Sequence, residues 1–170
     1  AIVSAKNAGI VTVCYGGNGK DGEPRTDNIY PADFDECVAV TALNTDNTNC
    51  YWSDYNKKKN ISAPGLLITT TNTTGGYSKA SGTSMAAPIV SGVFALLFAA
   101  EPVATVDDAC RAIYLTATPS PDPVNDRTKT SGSKGVVDAE KAVNYLWGLG
   151  RTAYPDVSPG DWFFDAAYFM

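Results

Sequence analysis

The sequence predicts an α/β fold, a parallel sheet with helices on both faces. Three observations carry this. Ile10–Tyr15 and Cys37–Leu43 are β-branched, apolar and without alternation, as strands buried on both faces are. Leu66–Thr71 is a third such run. Met85–Ala100 is apolar nearly all round, the pattern of a helix at the centre of a domain. Three strands make a narrow parallel sheet, and parallel sheets usually have more. The chain is therefore expected to be a piece of a larger fold.

In chain order, residues 1–8 fit the end of a helix, with Gly9 as its left-handed stop. The Ile10–Tyr15 strand runs straight into Gly16-Gly17-Asn18-Gly19, a tight turn. Residues 20–36, with Pro24 and Pro31, form a loop before the Cys37–Leu43 strand. Asn44–Asn60 is a polar loop carrying Tyr51, Trp52 and Tyr55, and Ile61–Gly65 is a short extended piece ending in a turn. After the Leu66–Thr71 strand, the Gly/Ser-rich stretch Gly75–Ser84 leads directly into the apolar helix. Pro88 falls in the first turns of that helix, where a missing N–H costs least. Ala86, Ala87, Ser91 and Gly92 are small enough to let it approach a sheet closely.

Thr105-Val106-Asp107-Asp108 reads as a capping box with Asp in the place of Glu, and Val106, Ala109, Cys110, Ile113 and Tyr114 line one helical face. Residues 118–134 are a Pro/Ser/Thr/Asp-rich surface loop. Gly135-Val136-Val137 is extended, and Asp138 caps a last helix to about Trp147.

Composition narrows function. The chain has 170 residues, the scale of one domain, and with 44% hydrophobic residues it can bury a core. Thirteen Lys+Arg against 18 Asp+Glu give a net charge of −5, and the only basic block is Lys57-Lys58-Lys59. Nucleic acid and anionic membranes are thereby poor partners. The longest apolar run, Val93–Ala100, is too short to span a bilayer, so no membrane span is expected. The start lacks a signal-peptide pattern and reads as mid-helix, and Phe169-Met170 ends in an aromatic segment, as expected for a fragment. Four cysteines allow three full pairings, and no CxxC is present. Cys14 and Cys37, inside apolar runs, read as buried thiols, whereas Cys50 lies in a polar loop. With no histidine at all, the chain contains no imidazole to act as general base or metal ligand, and no metal site is read from it.

Ser81-Gly82-Thr83-Ser84-Met85-Ala86-Ala87-Pro88 carries the chemistry. A serine at the mouth of a helix sits among unpaired N–H groups at the positive end of the dipole, where an oxyanion formed by its attack is stabilised. The plain alternative is a serine that merely caps the helix.

The stretch Gly82–Pro88 resembles the nucleophile motif of the subtilisin-like serine peptidases, the subtilases. Further segments resemble the same family in the same order. Ile10–Gly19 looks like its strand and oxyanion turn, and Tyr30–Leu43 like its next loop and strand. Ser53-Asp54-Tyr55 through Ile61–Gly65 looks like its Ala-Pro-Gly segment, and Gly135–Ala139 like its closing piece, with the first glycine displaced to Gly132.

The resemblance implies a subtilisin-like fold over residues 1–147 and a serine endopeptidase acting on polypeptides. Ser84 would be the nucleophile, and Asn18 the side-chain donor to the oxyanion beside the Ser84 N–H. Tyr15, Gly16 and Gly17 would form one wall of the substrate pocket, with Gly82 and Thr83 also touching substrate. Tyr15 is bulkier than the small residue many relatives carry and would narrow or reshape that pocket. The Tyr30–Cys37 loop matches a region that binds a cation through backbone carbonyls in some relatives, which implies a structural calcium as the one cofactor. The Tyr30–Pro31 bond is expected to be cis. The family's Asp and His motifs precede everything present here, so the chain alone is expected to be inactive.

Residues 154–167, from Tyr154-Pro155-Asp156-Val157 to Ala166-Ala167, resemble the opening of an S-layer homology module. Residues 148–153 would be a linker and 154–170 the truncated module. That resemblance implies cell-wall polysaccharide as a second partner and an extracellular, wall-associated protein. Two other functions remain open, a non-catalytic pseudopeptidase scaffold and a cell-wall-anchored binding protein.

Overall fold

A computed structural model of the chain describes residues 1–120 and 133–151. The module and its adjoining residues, 152–170, lie outside the described residues, as do 121–132 and Gly132 with them. The described elements are α1 (Ile2–Asn7), β1 (Thr12–Tyr15), β2 (Cys37–Leu43), β3 (Ile61–Pro64), β4 (Ile68–Thr71), β5 (Tyr77–Ala80), α2 (Thr83–Ala100), α3 (Val106–Thr116) and α4 (Ala139–Arg151). The result is an α/β fold on a parallel sheet, as the sequence predicts.

The sheet has the order β1-β2-β3, all parallel, with Thr12 beside Cys37 and Val40 beside Ile61. All seven residues of β2 are buried, which accounts for its unbroken apolar run. Val136 adds one parallel rung beside Ser62 at the β3 side. The third parallel strand is β3, not the Leu66–Thr71 run. Residues 68–71 instead pair antiparallel with β5 in a separate hairpin. Their burial alternates, with Ile68 and Thr70 half-covered and Thr69 and Thr71 exposed. Their β-branched composition thus reflects a one-sided strand and not a core one. β5 is absent from the sequence reading because its glycine-, serine- and lysine-bearing stretch has loop composition.

α2 lies across all three strands, and α3 and α4 pack on each other and on α2. Val90, Phe94 and Leu97 of α2 join Val38, Val40 and Ile61 in the core. α2 is also the one helix among the described residues long and apolar enough to suit a bilayer, yet six of its residues are buried inside the fold. The predicted capping box forms at α3: Asp108 N–H donates to Thr105 Oγ1 at 3.2 Å, and Thr105 N–H to Asp108 Oδ2 at 3.0 Å. α4 continues past Trp147 to Arg151, into the stretch expected to be linker. Gly148 weakens a helix by about 1 kcal/mol without ending it. None of the four cysteines forms a disulfide, and Cys50 is fully buried despite its polar neighbours.

Lys59, the last of the three consecutive lysines, is not a surface charge. Its Nζ donates to Asp33 Oδ1 at 2.6 Å with both side chains fully buried. The other Asp33 oxygen accepts from Ile29 N–H at 2.7 Å and Asn56 Nδ2 at 3.0 Å. Burial pushes the Asp33 carboxyl up, but these donors outweigh it and hold the group below its ordinary 3.8. Asp108 is held low by Thr105, and Asp138 by Lys141. A carboxyl depressed by folding stabilises the fold above its unfolded pKa, and that contribution is lost as pH falls through the folded value. The thermal midpoint should therefore drop as pH falls below about 4. Asp33→Asn should lower stability at neutral pH and flatten that acid limb; parallel limbs for the two proteins would show that Asp33 does not contribute.

Candidate active site

The turn after β1 and the first turn of α2 are bound together through Thr83. Its hydroxyl accepts from Gly17 N–H at 3.1 Å and donates to Asn18 Oδ1 at 2.8 Å. Thr83 N–H donates to the same Asn18 oxygen, also at 2.8 Å. Two donors on Oδ1 fix which end of the amide turns inward, and Nδ2 is left as the outward donor. The Cβ that a side chain at Gly82 would add lies 3.4 Å from Asn18 Nδ2 and 3.6 Å from Ser84 N. Both nitrogens thus border the space that glycine leaves open.

Ser84 is exposed at the second position of α2, after the Gly82 N-cap. No side chain caps this helix, so the Ser84 hydroxyl is not consumed as a cap. The approach to α2 is tethered to the sheet, with Gly82 N–H donating to Gly65 O at 2.8 Å and Gly65 N–H to Leu43 O at 2.9 Å. Beside Ser84 opens a cavity of about 250 Å³. It is walled by Ser84 and Ala87 of α2, by Val13, Cys14 and Tyr15 of β1, and by residues 29–32 of the following loop.

The structure thus brings Ser84, Asn18, Gly82 and Thr83 into one cluster and puts Tyr15 in the cavity wall, half-exposed. Thr83, expected to touch substrate, is fully buried and turned toward Asn18 and Gly17. Gly16 and Gly17 are buried behind the wall. Gly16 N–H donates to Val40 O at 2.8 Å, and Gly17 O accepts from Asp54 N–H at 3.0 Å. Gly17 has φ +107°, and a Cβ there would run into the Asp54 carboxylate and come within 2.5 Å of Ile29 Cδ1. Only glycine suits that position.

Asp54 is the residue the sequence reading passed over. Fully buried, it accepts from Arg25 N–H at 2.6 Å and from Arg25 Nη2 at 3.0 Å, locking the loop under the turn. Its only signal is an acid inside the Ser53-Asp54-Tyr55 segment, which says nothing of burial.

The Tyr30–Pro31 bond is cis. In the loop it opens, Asp33 is taken by Lys59 and Asp35 by Lys58. The carbonyls of Ile29, Pro31 and Phe34 accept turn hydrogen bonds. Among the described residues no group of three His, Cys, Asp or Glu side chains could hold a metal ion.

Residues 1–150 match the subtilase family. Thermitase of Thermoactinomyces vulgaris is 35% identical over 145 residues, covering 85% of this chain and 48% of that protein. The major intracellular serine protease of Bacillus subtilis (strain 168) is 40% identical over 98 residues, covering 57% of this chain and 31% of that protein. Among solved structures, a protease of Pseudoalteromonas arctica PAMC 21717 superposes with a TM-score of 0.76 at 28% identity, over 85% of this chain and 45% of that one. The chain spans about a third to a half of the length of these relatives.

The Thr83 network makes a prediction. Thr83→Val keeps the shape but leaves the Gly17 N–H buried without its acceptor, at a cost of about 1–3 kcal/mol. Thr83→Ser should lose much less. Denaturant midpoints of the two variants test this, and equal midpoints would remove Thr83 from its central place.

Proposed function

The chain belongs to the subtilase family, and from that membership we propose that it supplies the nucleophile and oxyanion half of a serine endopeptidase. One observation carries the reading. Asn18 has its amide oxygen held by two donors from Thr83, which leaves Nδ2 beside the Ser84 N–H at the mouth of α2. Two preorganised donors next to a serine at a helix N-terminus are what an acyl-transfer site needs.

In this mechanism Ser84 Oγ attacks the carbonyl carbon of the scissile bond. Its proton passes to a histidine, and the carbonyl electrons move onto an oxyanion that accepts from Asn18 Nδ2 and Ser84 N–H. Collapse breaks the C–N bond, and the histidine returns the proton to the departing amine. Water then repeats the sequence on the acyl-enzyme. This chain has no histidine, so the base, and the aspartate that orients it, come from outside this sequence. The cavity beside Ser84 takes the substrate side chain adjoining the scissile bond, with Tyr15 at its edge.

The sequence pattern of residues 154–170 supports an S-layer homology module and, with it, a wall-attached extracellular protease that binds cell-wall polysaccharide. The support is that pattern alone, and named relatives include both intracellular and extracellular proteases. The rival readings, a pseudopeptidase scaffold or a wall-binding protein without catalysis, require an unreactive Ser84.

A fluorophosphonate probe offered to the full-length protein separates them. Labelling at Ser84, absent in Ser84→Ala, is the expected result; an unlabelled wild type overturns the peptidase reading. Asn18→Ala should lower turnover by about 10²–10³ with KM nearly unchanged, a magnitude taken over from the corresponding donor of subtilisin itself. Loss in KM alone would make Asn18 a substrate contact and not an oxyanion donor.

A further inference from the structure

The cavity beside Ser84 has one wall on secondary structure and one on a loop. Residues 29–32 form the loop wall, and they belong to neither a helix nor a strand. What holds them is Asp33. Its backbone N–H donates to Ile29 O at 2.9 Å, and its carboxylate accepts from Ile29 N–H at 2.7 Å, closing the segment into a ring. The other carboxylate oxygen takes Lys59 Nζ at 2.6 Å, and both side chains are wholly buried. Asn56, three residues before Lys59, adds one amide bond to Asp33 and another to Asp27 O.

The lysine also reaches the glycine that directly follows the β1 wall. A Cβ at Gly16 would lie 3.6 Å from Lys59 Cδ, so the lysine stem runs beneath the turn that presents Asn18. On the other side, Ile29 Cδ1 closes directly on Gly17. One buried ion pair therefore ties the loop segment to the turn after β1, with its acid fastened to Ile29 of the loop wall and its base lying against Gly16, the residue after Tyr15. The neighbouring pair of Lys58 with Asp35 is exposed and cannot do this. A buried pair is a poor source of net stability compared with apolar side chains, and its better-attested use is to fix geometry.

We propose that Asp33 and Lys59 are positioning residues for substrate selection: their buried ion pair sets the loop wall against the Val13–Tyr15 wall, and so sets the size of side chain the Ser84 cavity admits. This rests on the peptidase reading above. A cavity of about 250 Å³, walled by Val13, Ile29, Pro31 and Ala87 among others, suits an aromatic or large aliphatic side chain.

The test uses the full-length enzyme and two peptides that differ only before the scissile bond, one with phenylalanine and one with alanine. Lys59→Met leaves the Asp33 charge buried and is open to misfolding. The double variant Asp33→Asn/Lys59→Met has no unpaired charge, and its amide oxygen still accepts from Ile29 N–H. In the double variant kcat/KM for the phenylalanine peptide should fall about tenfold, mostly through KM. The alanine peptide and fluorophosphonate labelling of Ser84 should change less than about twofold. A labelled double variant with wild-type KM for both peptides overturns the proposal, as does an equal loss of kcat for both. A wild type that neither labels nor cleaves overturns the peptidase reading and this inference with it.

Discussion

The hydroxyl of Thr83 is the point on which the site turns. It is at once acceptor for the Gly17 N–H and donor to the Asn18 amide oxygen, so it joins the end of a strand to the start of a helix with one atom. Because the side chain is fully buried, neither bond has water as an easy replacement. Everything with chemical character follows from that link. The Asn18 amide cannot flip without losing two donors, Gly17 cannot move without orphaning its N–H, and Ser84 is displayed by the helix that Thr83 begins.

Beneath this link lie two buried acids, each paired with a base. Asp54, paired with the partly exposed Arg25, and Lys59, paired with the buried Asp33, lie against the glycine turn, and each acid accepts several hydrogen bonds. The close approach is possible because Gly16 and Gly17 present no side chain, a Cβ at Gly17 being incompatible with the Asp54 carboxylate. Glycines and buried acids are therefore one design. The glycines let the backbone descend onto the acids, and the acids hold by hydrogen bonds a loop region that has no ladder of its own. Removing one partner of the fully buried Asp33–Lys59 pair leaves a charge stranded, at roughly 3–5 kcal/mol, a substantial share of the stability of a domain.

The sequence carried the strands whose apolar runs are unbroken. β2 spans the residues its composition marks, and the α3 box closes at Thr105 and Asp108 as the spacing requires. It also carried the chemistry that lies in a contiguous stretch, Gly82 to Pro88. It failed where a residue's meaning depends on distant partners. Lys59 looks like the third charge of a solvated run, and only the fold reveals that its neighbour in space is Asp33, twenty-six residues earlier. Thr83 sits in the motif as a substrate contact, but its partners, sixty-five and sixty-six residues away, turn it inward. The Leu66–Thr71 run misled because β-branching records strand propensity, whereas membership of the sheet was decided by the shorter, proline-ended β3.

The division of labour in the proposed mechanism has a physical basis. Proton transfer needs a base with a pKa near the working pH, and no side chain here provides an imidazole. Oxyanion stabilisation needs something different, namely donors that are already aimed before charge develops, in a setting where they need not reorganise. On the proposed reading, the interactions that aim them include the Thr83 link, the tether from Gly82 through Gly65 to Leu43, and the Asp54 carboxylate under the turn. At the same time α2 shows an apolar sequence on every face but buries only one, and Val3, Ile10, Tyr15 and Leu96 stay about half exposed among the described residues. On the proposed reading, a histidine supplied from outside this sequence meets donors that the Thr83 bonds already hold, and it brings only its position and its basic nitrogen.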